Sequence, residues 1–374
     1  MAASSPLVRG LRASLRAFAG LVGGVLALGG ARAVTLPADR AEALFHNYSG
    51  GGVTANGPAL LVRKSLADKV SLSGSLYVDA VSNASVDVVT TASPYKERRT
   101  ELGLGADYAV RDALLSLGLT SSREPDYHAD ALSVDVSQET FGGMTTVALG
   151  FTRGADKVGQ KGIGFFDNAT HWQYRLGVTQ ILTPRWLASA NVEAIADSGY
   201  LGNPYRAARV FGAAVPERVP RTRSSRAFNL RVIGDIGAPG SRDAVRASYR
   251  YFWDNWDIKA HTLEGGYSRY VGESFLLDGY LRLYKQDKAL FYSDDAQSET
   301  AYVSRNRQLG TYTGSTLGAK ATFTWKKVPG QYEIKANAGL ELLHYRYSDY
   351  TDLRTGKPYA LNATVLQLYV TANY

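Results

Sequence analysis

Cysteine is absent from all 374 residues, so the chain carries neither a disulfide nor the acylated cysteine of a lipoprotein anchor. That absence does not choose a compartment, because it suits a reducing cytosol equally well. Long apolar runs are missing beyond residue 33, and mean hydropathy is −0.18. This excludes a bundle of membrane-crossing helices, each of which needs about 20 apolar residues. It does not exclude a β-barrel, whose strands are apolar on one face only and barely move a hydropathy average. Strong charge of one sign is lacking as well. Four arginines (9, 12, 16 and 32) fall in the first 33 residues, and without them the net charge of +8 drops to +4. That is too mild for a nucleic-acid binder.

Those first residues have an address of their own. Arg9, Arg12 and Arg16 precede a short apolar run at 17–30 (AFAGLVGGVLALGG), and Ala31-Arg32-Ala33 has small residues flanking a cleavage point. The pattern reads as a signal peptide over 1–33, with the working domain at 34–374. Glycine (38 residues) and tyrosine (24) are plentiful against two methionines, which suits strands with aromatic girdles.

The end of the chain, TVLQLYVTANY, shows the alternation most clearly. Leu366, Leu368, Val370, Ala372 and Tyr374 share one face, and Val365, Gln367, Tyr369, Thr371 and Asn373 the other. An alternating strand that ends on an aromatic residue is, as a class feature, the signal by which insertion machinery recognises outer-membrane barrels. Similar segments arrive in pairs joined by short turns. They are 53–64 with 69–80, 100–110 with 113–120, 131–140 with 144–153, 170–182 with 185–196, 227–236 with 244–254, 258–270 with 275–285, and 317–326 with 332–347. The turns hold Gly, Pro or Asp, residues suited to tight bends. With 364–374 closing the series and 42–49 (EALFHNYS) opening it, the total is about 16 antiparallel strands.

A soluble sandwich is the competing fold, since its solvent face also tolerates charge. The strand lengths favour the barrel, being near the ~9 to 11 residues of a tilted membrane strand. Asp107, Arg175, Glu193, Arg231, Asp235, Arg246, Arg250, Asp278, Arg282, Lys320, Glu333, Lys335 and Glu341 all fall opposite apolar faces, where a barrel has its lumen.

Four segments resemble a known family: SLYVDAVSNAS (75–85), GVTQILTPRW (177–186), SGYLGNPYR (198–206) and SYRYFWDNWDIKAHTLE (248–264). They are similar to domain-of-unknown-function family 3570, and the likeness runs over about 41–374. The resemblance implies an outer-membrane barrel of Gram-negative bacteria with no established activity and no catalytic residues. Neighbouring genes in that family encode small lipoproteins, thioredoxin-like proteins or flavin-attaching enzymes, so it also implies a periplasmic lipoprotein as a possible partner and a link to envelope redox.

The residues themselves support three functional classes. A pore for small polar solutes is the first, with Arg175, Arg231, Asp235, Arg246, Arg250, Asp278, Arg282, Lys320 and Lys335 as the lumen charges that set selectivity. Arg231, Arg246 and Arg250 are placed to form a basic ladder, with Asp235, Asp254 and Asp278 to neutralise it. The segment 203–226 adds Arg206, Arg209, Arg218, Arg221, Arg223 and Arg226 against the single acid Glu217. It would favour anions if folded inward, or grip lipid phosphates if turned outward. A filled barrel that serves partners at its rims is the second class. A membrane-embedded enzyme is the weakest, because none of His46, His128, His171, His261 and His344 sits in a nucleophile motif. The three residues from His261 to Glu264 put them on opposite faces of a strand. Asp294-Asp295 lacks the ligand spacing of a calcium loop, and Gly159–Gly164 (GQKGIG) reads as loop glycine. No cofactor or metal is expected, and the partners are outer-membrane lipid and the barrel-insertion machinery.

Overall fold

Two-residue alternation governs the whole molecule. The computed structural model describes residues 34–83, 95–238 and 241–374, so the signal-peptide expectation lies outside the described residues. Nine strands come first: β1 (Arg40–Gly50), β2 (Val53–Ala67), β3 (Val70–Asn83), β4 (Tyr95–Val110), β5 (Ala113–Arg123), β6 (Tyr127–Thr140), β7 (Thr145–Gln160), β8 (Phe165–Thr183) and β9 (Trp186–Gly199). A small hairpin, β10 (Ala207–Val210) and β11 (Ala213–Pro216), stands apart as its own two-stranded sheet. Then follow β12 (Thr222–Asp235), β13 (Asp243–Asp254), β14 (Lys259–Val271), β15 (Phe275–Gln286), β16 (Tyr312–Val328), β17 (Tyr332–Asp352) and β18 (Lys357–Asn373).

Sixteen of these strands, all but β10 and β11, close into one antiparallel barrel, each hydrogen-bonded to its neighbours in chain order. The seam joins the first strand to the last, with Arg40 opposite Asn373 and Gly50 opposite Ala363. The count of 16 and every hairpin pairing expected from alternation are present. The strands are longer than expected, reaching 21 residues in β17.

The turns fall into two sets. At the rim carrying both termini the chain reverses tightly, as at Arg111-Asp112, where Arg111 takes a φ of 52°, and at Gly272, with a φ of 64°. The opposite rim holds the two longest described connections, 200–221 and 287–311.

Leu104 and Leu119 are exposed on the outer surface at 66% and 55%, and Leu263, Leu283, Leu317 and Leu342 extend the same belt. In a soluble protein each would forfeit ~1.5–3 kcal/mol of burial, so an apolar solvent is what this surface fits. Arg or Lys in the middle of a membrane belt costs about 2–4 kcal/mol. Arg153, in register with Leu132 beside Leu119, lies over the Trp172 ring at 5.3 Å. No helix among the described residues is long and apolar enough to cross a membrane.

Candidate functional site

Inward side chains form networks of opposed charge. Arg175 donates to Asp135 at 2.7 Å and to Gln173 at 3.1 Å, and Arg250 donates to Glu193 at 3.2 Å. Arg246 binds Asp278 through Nη2 at 2.9 Å and sits 3.6 Å from Glu264, which also accepts from Arg282 at 2.9 Å. Glycine makes room for these flat-lying cations: a Cβ on Gly266 would strike the Arg246 guanidinium, and one on Gly150 would strike the Asp135–Arg175 pair. Lys335 pairs with Glu333 at 2.6 Å, Tyr280 donates to Glu341 at 2.6 Å, and Lys320 lies 5.3 Å from the Tyr369 ring.

The expected basic ladder is therefore largely neutralised. Arg231 stands in register with Ser248, two rungs from the partners of Arg246 and Arg250, and has no carboxylate partner among the described residues. Of its proposed neutralisers only Asp278 serves the ladder. Asp254 holds Arg223 at 2.6 Å, and Asp235 sits at the terminal rim, accepting from the Gly237 amide and from Arg185.

The arginine-rich segment is not one loop. Arg223 and Arg226 belong to β12, because its ladder continues up to Thr222, and they point to opposite faces. Arg209 pairs with Asp295 at 3.7 Å, Arg221 with Asp167 at 2.7 Å, and Arg218 donates to the Thr300 carbonyl at 3.0 Å. Arg206 faces a cavity and has no carboxylate partner among the described residues. Asp294 is likewise committed, pairing with Arg305 at 2.7 Å. Among the described residues no cluster of three or more His, Asp or Glu side chains could hold a metal.

Sequence reasoning missed the role of 287–311, which folds into the mouth. Ser304, Arg305 and Asn306 are buried there. Arg305 donates to the Tyr350 hydroxyl (3.1 Å), the Thr351 carbonyl (2.5 Å) and the Asp294 carbonyl (2.9 Å). Arg307 reaches the Tyr359 hydroxyl of β18 at 3.1 Å, and Gln286 donates to the Gln308 and Gly310 carbonyls. Leu309 packs with Trp256, Ile258, Ala289 and Tyr292, and burial pushes the Tyr292 phenol above its usual range. Bridges Val210–Ala296 and Arg218–Val303 tie this segment to 200–221. The apolar stretch Ala289-Leu290-Phe291-Tyr292 in an otherwise polar loop was the available signal.

Beneath the two segments lies a cavity of about 540 Å³, lined by Tyr127, His171, Asp197, Arg206, Arg250, Trp256, Gln286 and Asn306 among others. The segments 198–206 and 248–264 converge on it from β9 and from the β13–β14 connection. His171 bridges Asp156 and Asp197 at 2.8 Å each. Among the described residues no histidine has a serine or threonine hydroxyl as its hydrogen-bond partner: His46 meets Asp79, His261 meets Tyr249, and His344 meets Asn362. Trp256 is buried in the mouth.

A closed 16-stranded barrel with an apolar exterior, a charged interior and loops across one mouth has the architecture of outer-membrane proteins. The family model "Protein of unknown function (DUF3570)" matches residues 27–356, and the chain belongs to that family. No curated protein matches by sequence. Among solved structures, a bacterial polysaccharide outer membrane secretin is 10% identical, with 91% of this chain covering 100% of that one at a TM-score of 0.53. OpdK with vanillate, from Pseudomonas aeruginosa, is also 10% identical over 91% of this chain and 100% of that one, with a TM-score of 0.45. The siderophore receptor PirA from the same organism is 11% identical with a TM-score of 0.45, and 90% of this chain spans 63% of it. At these identities the likeness is one of fold.

Proposed function

We propose that this protein sits in the outer membrane of a Gram-negative bacterium, with its termini toward the periplasm, and passes small polar solutes through a water-filled lumen. The observation that carries this reading is the wetness of the inward charges. Arg175, Asp135 and Arg282 retain side-chain exposures of 38%, 43% and 43% although they point into the barrel. In a filled barrel of this size such groups would be packed under neighbouring side chains, whereas barrels of about 16 strands enclose a channel. The paired charges largely cancel beyond a screening length of about 8 Å, so selectivity falls to Arg206 and Arg231 and is biased toward anions.

A filled barrel serving periplasmic or surface partners is the second reading, and the seating of 287–311 in the mouth favours its filling. Lipid and the insertion machinery are partners under both readings, with Leu366, Leu368, Val370, Ala372 and Tyr374 as the insertion signal. Planar-bilayer recording of the refolded barrel under a salt gradient separates the two. Stable conductance steps with an anion-selective reversal potential are expected. In the double variant Arg206→Gln/Arg231→Gln that potential should move toward zero. Absence of steps from folded protein would transfer the assignment to the filled barrel.

A further inference from the structure

The outer surface carries one charge pattern that transport does not use. Arg226 on β12 stands beside Trp253 on β13, which stands beside Lys259 on β14. One rung lower, His261 faces Lys285, Lys285 faces Thr313, and Thr313 faces Arg346 on β17. Arg226, Lys259, His261, Lys285 and Arg346 are all exposed. They share the outward face with Leu230, Leu263, Leu281 and Leu342 of the belt below. At about 4.8 Å per strand, the row spans an arc of ~24 Å at the rim opposite the termini.

Two carboxylates lie close by: Asp257, 3.1 Å from Lys259, and Asp287, whose amide bonds the Lys259 carbonyl. Arg226, Lys285 and Arg346 have no carboxylate partner among the described residues. On the far wall Arg123 is matched to Asp130 at 2.8 Å while Arg98, Arg153 and Lys157 are not paired with a carboxylate among the described residues, and at the terminal rim Lys64 is matched to Asp39 at 2.7 Å and Arg269 to Asp243 at 3.6 Å. On this arc unmatched cations from β12, β15 and β17 line up along one rim above outward-facing leucines, at the height of phospho-headgroups.

We infer that this arc is a binding surface for the phosphates of an outer-leaflet glycolipid. Guanidinium groups at Arg226 and Arg346 match phosphate geometry, Lys285 between them supplies a point charge, and Trp253 anchors the interface. The inference rests on the outer-membrane reading but not on conduction.

The test reconstitutes the folded barrel in phosphatidylcholine vesicles containing bisphosphorylated lipid A, dephosphorylated lipid A or phosphatidylglycerol, and measures lipid retained on re-extraction. Bisphosphorylated lipid A should be retained selectively. Arg226→Glu/Lys285→Glu/Arg346→Glu should lower that retention on the order of a hundredfold, at about fivefold per charge near the surface. Retention of dephosphorylated lipid A should not change. The single variants Arg226→Gln, Lys285→Gln and Arg346→Gln each report the effect if the triple variant fails to fold. Equal retention of phosphorylated and dephosphorylated lipid A, or equal retention of phosphatidylglycerol, overturns the inference. Conductance recorded from the same vesicles tells that failure apart from a failure of the pore reading.

Discussion

The two rims of this barrel obey the same alternation and end differently. At the terminal rim the strands reverse through tight turns such as Arg111-Asp112, and inward residues such as Asp235 do little beyond fastening those turns. At the opposite rim two long segments cross the opening, bind one another and enclose the cavity. The walls therefore supply a generic scaffold, and what distinguishes this chain is concentrated in 200–221 and 287–311. Barrels commonly place function in the loops of a rigid scaffold, and here the contrast can be tested directly.

Arg305→Ala should have the largest effect. Arg305 is 6% exposed and bonds Tyr350, Thr351 and Asp294, so its loss strips a buried site of these charge-assisted hydrogen bonds and costs on the order of 2–3 kcal/mol of loop docking. Unitary conductance should rise several-fold and 287–311 should become protease-sensitive. An unaltered conductance would mean that this segment does not limit flow. Gly266→Val comes next and probes the wall. The added side chain would push Arg246 off Asp278, and because the guanidinium can swing aside into water the stability cost should stay near 1 kcal/mol. Anion preference should increase, with conductance nearly constant. If selectivity is identical to wild type, the paired wall charges do not touch the ion path.

The smallest effect belongs to the terminal rim. Hydrogen bonds from the Lys64 ammonium and from Ser65 hold the Asp39 carboxyl down at about 2, against a usual 3.8. A carboxyl depressed in the folded state stabilises above the usual value and loses that contribution as pH falls from about 3.8 toward about 2. Asp39→Asn should flatten the acid limb of barrel unfolding in that window only, as followed by gel mobility. A flattening that extends to neutral pH would point to another group.

The barrel was legible in the sequence because every wall strand repeats a period of two, and charge on the inner face marked the lumen. The mouth was not legible, because nothing periodic connects Arg305 to Tyr350 or Arg307 to Tyr359, contacts made across 45 and 52 residues. Arg223 and Arg226 were misread as loop for a related reason. The ladder of β12 continues above the apolar belt into polar sequence, where alternation no longer separates strand from loop.

The seam between β1 and β18 carries a consequence for biogenesis. Nearly every other neighbouring pair is a local hairpin that can form as soon as its two arms exist, whereas Arg40 must wait for Asn373. Until then the growing sheet presents an unpaired edge at each end, open to pairing with any other chain. Closure is thus the slow, non-local event of assembly, and a cell making this protein has to keep two sticky edges apart until the final strand arrives.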